Sequence, residues 1–140
     1  MTNESIIAKL SQPLAKEVVK TREQSGRTLS YIEGHWVVRE ANRIFGFGEW
    51  SYFTTVPQVV QCEQKPNSKG TGQNWYVGYT VSVTVMAMGT SYADFGFGQG
   101  IDPDLGRAHE SAIKEAVTDA LKRALRNFGD PFGLALYDKA

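Results

Sequence analysis

Along the chain the spacing of apolar residues changes several times, and each change predicts a different element. Over residues 5–20, Ile6, Leu10, Leu14 and Val18 fall at near-helical intervals, with Ser11 placed to cap and Pro13 to open a second helix. Helical structure with a break is expected there. Thr21 to Thr28 mixes charge with Gly26 and reads as a loop, leading into a short extended piece from Leu29 to Glu33 that ends at Gly34. From His35 to Phe45, Trp36, Val37, Ala41, Ile44 and Phe45 gather on one side of a helix that Gly46 stops.

The pattern then changes to period two. Tyr79, Val81, Val83 and Val85 alternate with Thr80, Ser82 and Thr84, so Trp75 to Ala87 is read as a half-buried strand. Trp50 to Gln61 has the same β-prone composition, and the two are expected to pair antiparallel. Their connector, KPNSKGTGQN over 65–74, is polar and turn-rich and reads as a long flexible hairpin loop. A third strand, Thr90 to Phe97, follows the turn at Gly89, and Gly96, Gly98 and Gly100 are read as a flexible bend after it.

The run from Glu115 to Gly129 returns to helical period. Ala116, Val117, Ala120, Leu121, Ala124, Leu125 and Phe128 share a broad face, while Glu115, Asp119, Lys122 and Arg126 line the opposite one. The acids come early and Lys122, Arg123 and Arg126 late, so the C-terminal end is suited to an anion. The same order also satisfies the helix macrodipole, and Asp119 can pair with Arg123 at i,i+4 without any ligand. On the helix alone, that self-contained account is the simpler one. The element order predicts one α+β domain over residues 1–140, an antiparallel sheet of three to four strands packed against the long C-terminal helix.

Composition narrows the function classes. Fifteen Lys+Arg balance fifteen Asp+Glu, so a nucleic-acid binder of this sequence must rely on local segregation of charge. One cysteine, Cys62, excludes an internal disulfide, and His35 and His109 lie too far apart for metal-ligand spacing, so no cofactor or metal is expected. The N-terminus has no basic start with an apolar run, and nothing approaches the roughly 20 apolar residues of a membrane span. The expected setting is intracellular: cytoplasm or nucleoid in a prokaryote or phage, nucleus or mitochondrion in a eukaryote.

Catalytic motifs do not hold up. Asp94-Phe95-Gly96 matches a kinase tripeptide without the other kinase elements, and Asp102 and Asp104 would repel a phosphate from the glycine run before them. Glu33 and His35 lack a Ser or Cys partner, so the chain is not expected to be an enzyme.

Several blocks in order carry a resemblance. The run EAVTDALKRALRNFG at 115–129 resembles the signature helix of the Rad-fifty-two/Rad-twenty-two family of single-strand annealing proteins. YIEGH at Tyr31 to His35, then Ala41, Asn42 and the Phe45-Gly46-Phe47 to Trp50 stretch, is similar to that family's YxEGH...AN..FG..W segment. WYVGYTVSVTV and YADFGFG look like its central strands, so the likeness runs from about Arg22 to Lys139.

The resemblance implies a homo-oligomeric ring whose outer groove holds single-stranded DNA by its backbone, bases outward, for annealing in recombinational repair. Lys122, Arg123 and Arg126 match the groove-floor cations. Tyr31 matches a groove tyrosine, with core packing as its alternative; Arg22 resembles a groove arginine at a spacing one residue short, and Arg27 is the substitute candidate. Where better-known members carry lysines for a second DNA site, this chain has Asp102-Pro103-Asp104. That site is either rebuilt from Arg107, His109 and Lys114 or absent. Larger members bind a recombinase and a single-strand-binding protein through a C-terminal extension, and against them the 140 residues are expected to be a minimal annealing module or a trimmed chain. The alternative function is an oligomeric scaffold without direct DNA affinity, which the neutral charge favours.

Overall fold

The computed structural model describes residues 3–12, 19–24, 27–32 and 34–132. Helix α1 spans Asn3–Leu10. The helix expected after Pro13 falls on residues 13–18, outside the described residues, and Val19 and Lys20 at its expected end belong to a strand.

The loop expected at Thr21 to Thr28 is instead most of a hairpin. Strand β1 (Val19–Gln24) pairs antiparallel with β2 (Arg27–Ile32), in register from Val19↔Ile32 to Gln24↔Arg27. Polar, charged residues here lack the alternation that marks a half-buried strand, but a ladder needs only backbone groups that find each other. Helix α2 (Gly34–Phe45) follows, burying Val37, Ala41, Ile44 and Phe45 at i, i+4, i+7 and i+8.

The main sheet is built on one long strand. β5 (Gln73–Ala87) has β6 (Thr90–Asp102) along one edge and, in tandem along the other, β3 (Trp50–Thr54) and β4 (Gln58–Pro66), all antiparallel. The single strand expected from Trp50 to Gln61 is thus two, because Pro57 has no N–H to give the ladder. Thr55 bridges the gap: its N–H donates to the Ser82 carbonyl at 3.0 Å, and its hydroxyl accepts from the Ser82 N–H at 3.1 Å. The 65–74 connector is also more ordered than expected, since Asn67 holds both the Thr71 N–H (3.0 Å) and the Thr71 hydroxyl (3.2 Å).

The glycine run is not a bend. β6 continues through Gly96, Gly98 and Gly100 to Asp102, and those three bare α-carbons face helix α3 (Leu105–Arg126). A Cβ at Gly96 would enter the backbone of Ala116 and Ala120, one at Gly98 that of Ala112, and one at Gly100 that of Ala108. On the helix, Ala108, Ala112, Ala116, Ala120 and Ala124 repeat every fourth residue and are all fully buried. Methyl groups on one side and missing side chains on the other let the helix lie against the sheet almost backbone to backbone. Beyond this seam, Val81, Val83 and Val85 of β5, Leu121 and Leu125 of α3, Ile44 and Phe45 of α2, and Phe132 of a 3₁₀ turn (Asp130–Phe132) form the main core. Helices therefore cover one face of the sheet, as the alternation predicts.

Candidate nucleic-acid interface

With its alanine stripe committed to the sheet, α3 turns its charged side outward, and its last turns carry Lys122, Arg123 and Arg126. Two are held by carboxylates. Asp119 Oδ2 accepts from Arg123 Nε at 3.1 Å and from the backbone N–H of Phe97 at 3.2 Å, so one oxygen ties the arginine to β6. Arg126 Nη2 lies 3.9 Å from Asp94 Oδ2, while Asp94 Oδ1 accepts from the Phe95 N–H at 2.8 Å. Lys122 is half-buried and has contacts of its own. The i,i+4 pair of Asp119 and Arg123 was readable in the sequence; the Asp94 contact spans 32 positions and was not.

The remaining candidates sit elsewhere. Lys114 lies eight residues before Lys122, about 12 Å along the helix, and pairs with Glu110 at 2.6 Å. Arg22 is in β1 and Arg27 and Tyr31 are in β2; register and strand alternation put positions 20, 22, 27 and 31 on one face of that hairpin. Lys20 joins the set by pairing opposite Tyr31, which sequence spacing alone did not reveal.

The residues before α3 have a structural task. Asp104 is the N-cap, its Oδ2 accepting from the Arg107 N–H at 2.9 Å. Asp102 Oδ1 accepts from the Asp104 N–H at 2.8 Å and from Arg107 Nε at 3.2 Å. The Asp104 N–H first, then Arg107, holds the Asp102 carboxyl below its ordinary value. His109 is engaged at both nitrogens: Nδ1 is 2.7 Å from the Tyr79 hydroxyl and Nε2 3.8 Å from Cys62 Sγ. Arg107, His109 and Lys114, the cations from which a second site would be rebuilt, thus each have a partner within the chain. Among the described residues no group of three His, Cys, Asp or Glu could hold a metal, and no helix is long and apolar enough to cross a membrane.

An antiparallel sheet backed by a glycine–alanine seam, with a cationic helix end beside it, defines an α+β module built to present charge from a rigid base. Residues 2–140 match the model of the Rad52/22 family of double-strand break repair proteins, and the chain belongs to that family. It is 39% identical over 141 residues to the DNA repair and recombination protein RAD52 of Saccharomyces cerevisiae, covering 98% of this chain and 28% of that protein. The Eremothecium gossypii RAD52 is 38% identical over 140 residues (97% of this chain, 31% of the relative), and rad22 of Schizosaccharomyces pombe 38% over 135 residues (93% and 28%). The chain thus spans less than a third of the length of these relatives.

Proposed function

We propose that this chain binds single-stranded DNA by its phosphate backbone and anneals complementary strands in recombinational DNA repair, as one unit of a homo-oligomeric ring. The observation that carries the reading is the group of Lys122, Arg123 and Arg126 on the last turns of α3, a helix whose preceding turns seat against β6 through alanine methyls and bare glycine α-carbons. Arg22, Arg27 and Tyr31 of the hairpin and Lys114 complete the DNA-contacting set. Such a set reads charge along a backbone and not base edges, so binding is expected to be sequence-tolerant. The names of the relatives, DNA repair and recombination proteins of fungi, support the process and a nuclear setting.

Few phosphate contacts per subunit give weak, salt-sensitive binding, and linked copies multiply it by raising effective concentration. The sheet supplies a surface for association: on the face away from α3, Phe53, Val60, Met86, Phe95, Phe97 and Ile101 are all exposed, Phe95 by 70%. Annealing by this route requires no catalytic residue, since exposed bases supply the pairing energy once strands are held extended. A recombinase or single-strand-binding protein is the partner class such a ring serves. A scaffold without DNA affinity is the second reading, favoured by the zero net charge and this apolar face.

A gel shift with labelled single strands at two salt concentrations separates the two. Wild type is expected to bind, and Lys122→Ala/Arg123→Ala/Arg126→Ala to lose affinity and flatten the log–log salt slope by about 0.7 per lost phosphate contact. Unaltered binding in a triple variant that still folds and assembles excludes the groove assignment.

A further inference from the structure

Two arginines of the cationic helix end meet carboxylates in different ways. Asp119 approaches Arg123 through Nε, the side of the guanidinium, and the same oxygen is anchored by the Phe97 N–H of β6. Both Nη groups of Arg123 lie outside that hydrogen bond, and its side chain is 41% exposed. Asp94 approaches Arg126 at Nη2, at the end of the guanidinium and not at Nε, and at 3.9 Å it forms an ion pair longer than a hydrogen bond. Its other oxygen stays on its own strand, on the Phe95 N–H.

We propose that the two acids have opposite effects on DNA: Asp119 positions Arg123 for phosphate, whereas Asp94 occupies Arg126 and is displaced by phosphate when a strand binds. This rests on the single-strand-binding reading above. A carboxylate on the Nε side restrains the guanidinium plane and lowers the ordering cost of a phosphate contact. A carboxylate paired with the end of the guanidinium offsets its charge and stands where a phosphate would approach, so part of the new contact is spent on the loss of the old one. Asp94 thereby limits affinity, keeping a bound strand exchangeable, which annealing requires.

The test is fluorescence anisotropy with a labelled oligothymidine at two salt concentrations, using wild type, Asp94→Asn, Asp119→Asn, Arg126→Ala and the Asp94→Asn/Arg126→Ala double variant. Asp94→Asn is expected to bind about two- to fivefold more tightly, the size of a loose, half-buried ion pair that no longer has to be broken. In the Arg126→Ala background that gain disappears. Asp119→Asn keeps a carbonyl oxygen for the Phe97 N–H yet loses the charge that holds Arg123, and is expected to bind more weakly although it too removes a negative charge. Arg123→Lys, which has no Nε, reproduces that loss in a chain whose Asp119–Phe97 bond is untouched. If both Asn variants tighten binding equally, the acids act only as bulk charge and the proposal is overturned. It is also overturned if Asp94→Asn leaves affinity unchanged, or tightens it as much without Arg126. A wild type that binds no oligothymidine at low salt, while still folded, refutes the single-strand reading itself.

Discussion

Gly98 faces the carbonyl of Ala112 with no room between strand and helix for a methyl group. The contact is backbone on backbone, so neither partner can rotate a side chain away. Gly98→Ala is therefore expected to cost about 3 kcal/mol or more, read as a large drop in thermal midpoint. Gly70, with φ of +69° and open space around its α-carbon, gives the contrast: Gly70→Ala should cost about 1 kcal/mol from backbone strain alone. Equal losses would show that the seam is looser than the structure has it.

The paired acids before α3 predict weak duplex capture relative to single-strand binding. Because Asp104 caps the helix, reversing its charge also removes the cap, worth about 1 kcal/mol. Asp102→Lys alone is the cleaner variant: it also frees Arg107, and duplex affinity at low salt should rise while the thermal midpoint changes little. A wild type that already binds duplex as tightly as single strands, or a variant identical to wild type, shows that this loop does not face DNA.

The Asp102 carboxyl should titrate below its ordinary value of 3.8. A depressed folded value means that its stabilising contacts are present above that pH and are lost as pH falls through the lowered one. At neutral pH Asp102 therefore keeps its negative charge. Carboxyl-carbon NMR titration checks this, and Arg107→Ala should leave the value still depressed, since the Asp104 N–H is the larger cause.

Phe95 and Phe97 lie on the sheet face that, among the described residues, no helix covers. Phe95→Glu/Phe97→Glu should leave the fold intact, because these side chains already meet solvent, yet shift the mass measured by light scattering from a large oligomer towards monomer. A wild type that is monomeric at micromolar concentration defeats the ring; an unchanged oligomer in the variant moves the interface elsewhere.

The second half of α3 was legible because Val117, Leu121 and Leu125 give a helical period, although Phe128, read with them, lies past its end at Arg126; the sheet was legible because Val81, Val83 and Val85 alternate with hydroxyls. The first ten residues of α3 were not, since Ala108 and Ala112, their buried positions, weigh little in a hydrophobic pattern. Nor were the glycines of β6: each half of the seam looks like weakness until the other is set against it. The β1–β2 hairpin was missed for a related reason: its ladder joins backbone groups across strands, which a polar sequence without alternation does not announce. Of the candidate site, the cations were visible as a group on one helix, whereas their tethering to β6 through Asp119 and Asp94 depends on a tertiary approach that no local spacing encodes.

A joint filled with side chains has some give; one made of methyls and bare α-carbons has almost none. Tension on the cationic end of α3 therefore passes to β6 with little damping, through the seam and the Asp119 tether to Phe97. The strand and helix move as one lever, and a load applied at Lys122, Arg123 or Arg126 is felt at the edge of the sheet.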